Sequence, residues 1–102
     1  MKEKVPNLDL IENCIIRFIH ENKKNYLLSG LPLNEESVKG RKGKIDKNIY
    51  CVGEWNIYVE PPNIIAQWSI EWTPEEETIV KLNIEETKNE YHITDWDVEQ
   101  TF

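Results

Sequence analysis

The chain has 102 residues, 39% of them apolar and 30% charged, with a net charge of −7. That length bounds it to one domain, and four Trp in so short a chain argue against disorder. No apolar run approaches the ~20 residues of a membrane-spanning helix, and two cysteines, Cys14 and Cys51, are too few for a disulfide framework.

The charge is unevenly spread. Residues 1–47 hold ten Lys/Arg against seven Asp/Glu, a balance of +3. Residues 48–102 hold Lys81 and Lys88 against twelve Asp/Glu, a balance of −10. Asymmetry of this kind speaks about partners rather than fold. The N-terminus, Met1-Lys2-Glu3-Lys4-Val5-Pro6, runs into Asn7 and Asp9 without the uncharged apolar core of a secretory signal. The expected location is the cytoplasm.

In chain order, residues 8–22 read as an amphipathic helix. Leu8, Ile11, Cys14, Ile15, Phe18 and Ile19 recur at three- and four-residue steps, with Asp9, Glu12, Asn13, Arg17 and Glu21 on much of the other side. Pro6-Asn7 marks its start, Asp9 followed by Glu12 has capping-box spacing, and Lys23-Lys24 sits where the helix dipole favours cations.

Residues 26–47 are the least regular. Tyr26-Leu27-Leu28 suits a short strand or a continued helix, Ser29-Gly30-Leu31-Pro32 a turn, and Asn34-Glu35-Glu36-Ser37 one helical turn. Lys39-Gly40-Arg41-Lys42-Gly43-Lys44 invites a phosphate-loop reading, but that motif needs Gly five residues before Gly43 and Ser or Thr after Lys44. Val38 and Ile45 stand there, so a solvated loop is expected.

Residues 48–60 form a strand region in which Ile49, Cys51, Trp55, Ile57 and Val59 share one parity, with a bulge or bend expected at Gly53. Pro61-Pro62-Asn63 turns the chain. Ile64, Ala66, Trp68, Ile70 and Trp72 then alternate with Gln67, Ser69 and Glu71, the pattern of a half-buried strand at the centre of a sheet. Thr73-Pro74-Glu75-Glu76-Glu77 has helix-start chemistry but gives way at once to Thr78-Ile79-Val80, so it reads as a single turn. Val80, Leu82 and Ile84 face in, with Lys81, Asn83 and Glu85 facing out. A turn at Glu86-Thr87-Lys88-Asn89 leads to a last strand opening at Tyr91-His92-Ile93-Thr94, with a bulge near Asp95 where the alternation shifts by one.

One helix followed by consecutive strands with short turns is an α+β arrangement: an N-terminal helix packed on a curved antiparallel sheet of four to five strands. Its element order resembles cystatin-like and NTF2-like folds.

The chemistry-bearing residues form no strong motif. Cys14 and Cys51 fall on apolar faces and read as buried thiols. Cys14, His20, Cys51 and His92 have no zinc-site spacing, so no metal and no cofactor is expected. An Asp–His pair from Asp95, Asp97 and His92 would suit an enzyme only if it lay in a cone between helix and sheet. Trp55, Trp68 and Trp72 would line a ligand pocket there, but suit a plain core better. The acidic sheet half disfavours direct nucleic-acid binding.

The acidic residues point instead to a basic protein. Glu75, Glu76, Glu77, Glu85, Glu86, Asp95, Asp97 and Glu99 can stand in for the phosphates of a nucleic acid, and Trp72, Tyr91 and Trp96 can supply aromatic anchors. A small, acidic, aromatic-rich chain of this character is similar to bacterial immunity proteins that neutralise contact-dependent or polymorphic toxins. That resemblance implies a non-enzymatic inhibitor whose partner is a basic nuclease toxin domain, acting without membrane contact. A cystatin-like or NTF2-like small-ligand domain is the alternative.

Overall fold

The structure, a computed structural model, describes residues 5–88 and 90–101. It is an α+β fold of one long helix, a short 3-10 turn and one six-stranded antiparallel sheet. The strands are β1 (Lys42–Asp46), β2 (Ile49–Val52), β3 (Trp55–Glu60), β4 (Asn63–Thr73), β5 (Glu76–Thr87) and β6 (Glu90–Thr101). They lie side by side in chain order as a meander, so β1 and β6 are the two edges of an open sheet.

The helix α1 (Leu8–Glu21) forms as its periodicity predicts, but its cap differs. Asn7 is the N-cap, and its side chain accepts the Leu10 N–H at 3.2 Å. Asp9 lies inside the first turn, where its charge suits the positive end of the dipole, and reaches across to Lys42 Nζ at 2.8 Å. Ile11, Cys14, Ile15, Phe18 and Ile19 are the buried face. They pack against one face of the sheet, where Val52, Trp55, Ile57, Ala66, Trp68, Val80, Leu82 and Ile84 are all buried. Only one face is covered by a helix, and the alternation in β4 and β5 follows from that.

The sheet has six strands, not four to five, for two reasons. The first is that Lys42–Asp46, expected as a loop, is an edge strand paired with β2. Being largely exposed on both faces, it carries no apolar alternation to mark it. The second is that the region 48–60 is two strands. Gly53, at φ +59°, forms a two-residue turn with Glu54, and Val52 faces Trp55 across it. That turn reverses the expected parity. Tyr50 and Val52 join Trp55 and Ile57 on the helix side, while Ile49 and Cys51 point to the opposite face.

Of the remaining expectations, some hold and two do not. Residues 35–38 form the 3-10 turn, capped by Asn34. Tyr26–Leu28 continue neither as strand nor as helix but as turns. The Thr73 hydroxyl accepts the Glu75 N–H at 3.2 Å and so tightens the β4–β5 connection. The register of β6 against β5 slips between Asn83↔Asp95 and Ile84↔Ile93, the bulge expected near Asp95. β5 runs on to Thr87, so Glu86 and Thr87 are strand where a turn was expected, and Asn89, with Met1–Lys4 and Phe102, lies outside the described residues. No helix among the described residues is long and apolar enough to cross a membrane.

Candidate functional site

The face of the sheet turned away from α1 is bare. Its composition follows from register. Cross-strand rows place Glu71 opposite Glu77 and Thr101, Ser69 opposite Ile79 and Glu99, and Gln67 opposite Lys81 and Asp97. Further along, Ile65 lies opposite Asn83 and Asp95, and Asn63 opposite Glu85 and His92. On β2 and β3 the same face carries Ile49, Cys51, Asn56 and Tyr58.

Two zones result. Ile49, Tyr58 and Ile65 form a continuous half-buried apolar row across β2, β3 and β4. Beside it, on β4 to β6, stand Glu71, Glu77, Glu85, Asp95, Asp97 and Glu99. Within that carboxylate zone the one lysine, Lys81, is already taken by Glu99 at 3.2 Å. Glu71 and Glu77 sit directly opposite each other, an arrangement that disfavours the isolated sheet. Carboxylates two residues apart on one strand, such as Asp97 and Glu99, are about 6.8 Å apart. In bulk water that repulsion is only about 0.6 kcal/mol, so an exposed face tolerates it, and an incoming cation relieves it.

The sequence-derived contact residues divide accordingly. Glu77, Glu85, Asp95, Asp97 and Glu99 come together on the bare face. Glu75 and Glu76 lie exposed at the β4–β5 turn beside it. The others do not share that face. Glu86 pairs in register with Tyr91 on the helix side and is half-buried. Tyr91 is only 8% exposed, and its hydroxyl accepts the Asn7 N–H at 3.0 Å. Trp96 is half-buried edge-on against Phe18, ring centres 5.3 Å apart. These two rings hold α1 to the last strand and are not free anchors. Trp72 is exposed, but on the helix side beyond the end of α1, where its indole N–H donates to Thr78 Oγ1 at 2.8 Å. Glu71, Ile65, Tyr58 and Ile49 are further members of the bare face that the sequence pattern did not single out. Parity with Gln67 and Ser69 marks Ile65 and Glu71, and parity with Asn56 and Glu60 marks Tyr58.

The other chemistry is dispersed. His92, Asp95 and Asp97 face away from the helix, so no Asp–His pair lies between helix and sheet. His20 pairs with Glu35 at 2.8 Å and His92 with Glu90 at 3.3 Å. Among the described residues no group of His, Cys, Asp and Glu converges in a way that would hold a metal ion. Burial pushes the Cys14 thiol above its ordinary value, with Glu21 adding to the rise and Arg17 opposing it. Its Sγ rests 3.8 Å from the Tyr91 carbonyl oxygen. Cys51 is buried on the bare face beside the Arg41 carbonyl oxygen, also 3.8 Å away. Trp55 and Trp68 fill the core; a cleft of about 90 Å³ is lined by Pro6, Val59, Pro61, Pro62 and Ile64, and larger grooves of about 320 Å³ lie between α1 and β6 and beside Trp72. Compared with known proteins, the chain matches no family model, no curated protein and no solved structure.

Proposed function

We propose that this chain is a binding protein that neutralises a basic protein partner through the bare face of its sheet. The observation that carries this reading is the pairing of an apolar row, Ile49–Tyr58–Ile65, with the adjoining carboxylates of β4 to β6. An apolar patch adjoining charged groups is the anatomy of a specific interface. The charge sign selects a partner rich in Lys and Arg, as a nucleic-acid-cleaving enzyme is. The immunity-type inhibitor of a nuclease toxin domain, acting in the cytoplasm without cofactor or catalysis, fits that description. The cystatin-like or NTF2-like ligand-binding alternative draws on element order, but Trp55 and Trp68, which would line its pocket, are both packed into the core.

The test is a pull-down from the source cell, followed by binding kinetics against the protein recovered. Association should slow by about tenfold or more between low and high salt, because exposed charges are screened beyond about 8 Å at 0.15 M. The Asp95/Asp97→Asn double variant should slow association while keeping the native fold, since both groups are exposed. An acidic partner, or association rates indifferent to both salt and substitution, would exclude the reading.

A further inference from the structure

We infer that the β6 edge from Trp96 to Thr101 receives an extended segment of the partner as a seventh strand, one whose residues alternate cationic and apolar. This rests on the basic-partner reading and gives it a docking mode.

The two edges of the sheet are not alike. β1 has five residues, carries Lys42 and Lys44 and has an irregular register, the usual means of discouraging edge pairing. β6 has twelve residues. Its first half is flanked by α1, through Cys14 and Tyr91. At the bulge, Asp95 Oδ1 takes the Trp96 N–H at 2.9 Å. Beyond it the register is regular, from Leu82↔Trp96 to Glu77↔Thr101. That is about 20 Å of strand. Among the described residues no backbone group outside β5 hydrogen-bonds to it. Its outward N–H and C=O groups are a template for one more strand.

The side chains specify what would pair. Trp96 and Val98 stand half-buried on the helix side, Asp97 and Glu99 exposed on the bare face. Directly opposed side chains on neighbouring strands lie about 4.5–5.5 Å apart. A matching segment therefore sets Lys or Arg against Asp97 and beside Glu99, whose Oε1 also holds Lys81 at 3.2 Å, and apolar groups against Trp96 and Val98. Two grooves of about 320 Å³ border the strand: one between α1 and β6, where Phe18, Ile93 and Trp96 stand beside Arg17 and Glu21, and one by Trp72, Thr78 and Gln100 beside Glu76 and Glu77.

A second copy of the chain fits poorly. β6 against β6 brings like carboxylates together, and the Lys42 of a neighbouring β1 is already engaged by Asp9 and Glu12 at 2.8 and 3.1 Å.

The probe is a capped peptide of roughly nine residues alternating lysine and valine, long enough to cover a strand. Controls are the same composition with lysines and valines in separate blocks, and two versions N-methylated at one or the other alternating set of amides. Binding is read by calorimetry and by amide exchange. The alternating peptide should bind at least about tenfold more tightly than the block peptide and protect amides of residues 97–101. One methylation pattern should abolish binding and the other spare it, since only one set of amides faces β6. Asp97→Asn with Glu99→Gln should weaken binding by about tenfold. Equal binding of alternating and block peptides, or tolerance of both methylation patterns, overturns strand addition and leaves a basic-partner face in place. Binding of neither peptide overturns strand addition and also counts against the basic-partner reading. Self-association of the free protein with protection at residues 97–101 overturns the choice of occupant.

Discussion

Trp55 and Trp68 both point to the helix side of the sheet and both are buried, yet their indole N–H groups differ. That of Trp55 donates to Ser37 Oγ at 2.9 Å, joining the sheet to the 3-10 turn, and Ser37 itself is 2% exposed. That of Trp68 is buried without a partner among the described residues. Truncation to Phe opens a similar space at each, but only at position 55 does it also strand a buried hydroxyl. Trp55→Phe is expected to cost about 1–3 kcal/mol more than Trp68→Phe, measured by urea unfolding of the two variants. Similar losses would mean that the Ser37 contact contributes nothing. That both rings lie inward was legible in their spacing; which one is hydrogen-bonded was not, because Ser37 reaches Trp55 through tertiary folding alone. The same limit applied to Tyr91 and Trp96. Once the bulge at Asp95 is placed, parity sends both rings toward α1 and away from the bare face.

Among the elements, the β2–β3 hairpin has little tolerance for change at its turn. Gly53 is in the left-handed region, and its N–H donates to the Arg41 carbonyl at 2.7 Å. A side chain there would press on the Ser37 carbonyl oxygen and come within 2.6 Å of the Val38 carbonyl carbon. These are backbone atoms of a segment pinned by the Glu54 N–H to Ser37 O bond, so they have little room to move. Gly53→Ala should therefore cost about 3 kcal/mol or more. Gly43→Ala, with open space around it, should stay within about 0.5 kcal/mol of wild type. Thermal melts of both variants test the contrast. Gly53 was readable as a break in a strand but not as a full reversal, because Tyr50, Cys51 and Val52 are apolar on both parities. β4 and β5 were readable nearly residue by residue, because one of their faces is covered and the other is bare.

On the scale of the whole molecule, α1 is attached through groups whose proton affinity rises on folding. Burial raises the Cys14 thiol from 9.0 and the Tyr91 hydroxyl from 10.0, and hydrogen bonds to Asp9 and Glu12 raise Lys42 from 10.5. In each case the folded state holds the proton more tightly than the unfolded one. Their contribution is thus fully present below the unfolded values and lost as pH rises through the folded ones. Urea-unfolding free energy should fall as pH climbs above about 9, and less steeply in Cys14→Ala and Tyr91→Phe than in the wild type. A wild-type curve flat to pH 11, or variants that fall as steeply as it does, would contradict this account of the attachment. The same attachment has a consequence for synthesis. Asn7 bonds to Tyr91, 84 residues further on. At about 5–20 residues per second that strand follows the helix out of the ribosome by roughly 4–17 s. The hairpins β1 to β5 close between near neighbours and can assemble as they emerge. The helix, made before the sheet, cannot take its final seat until β6 is made, and its apolar stripe spends those seconds within reach of chaperones.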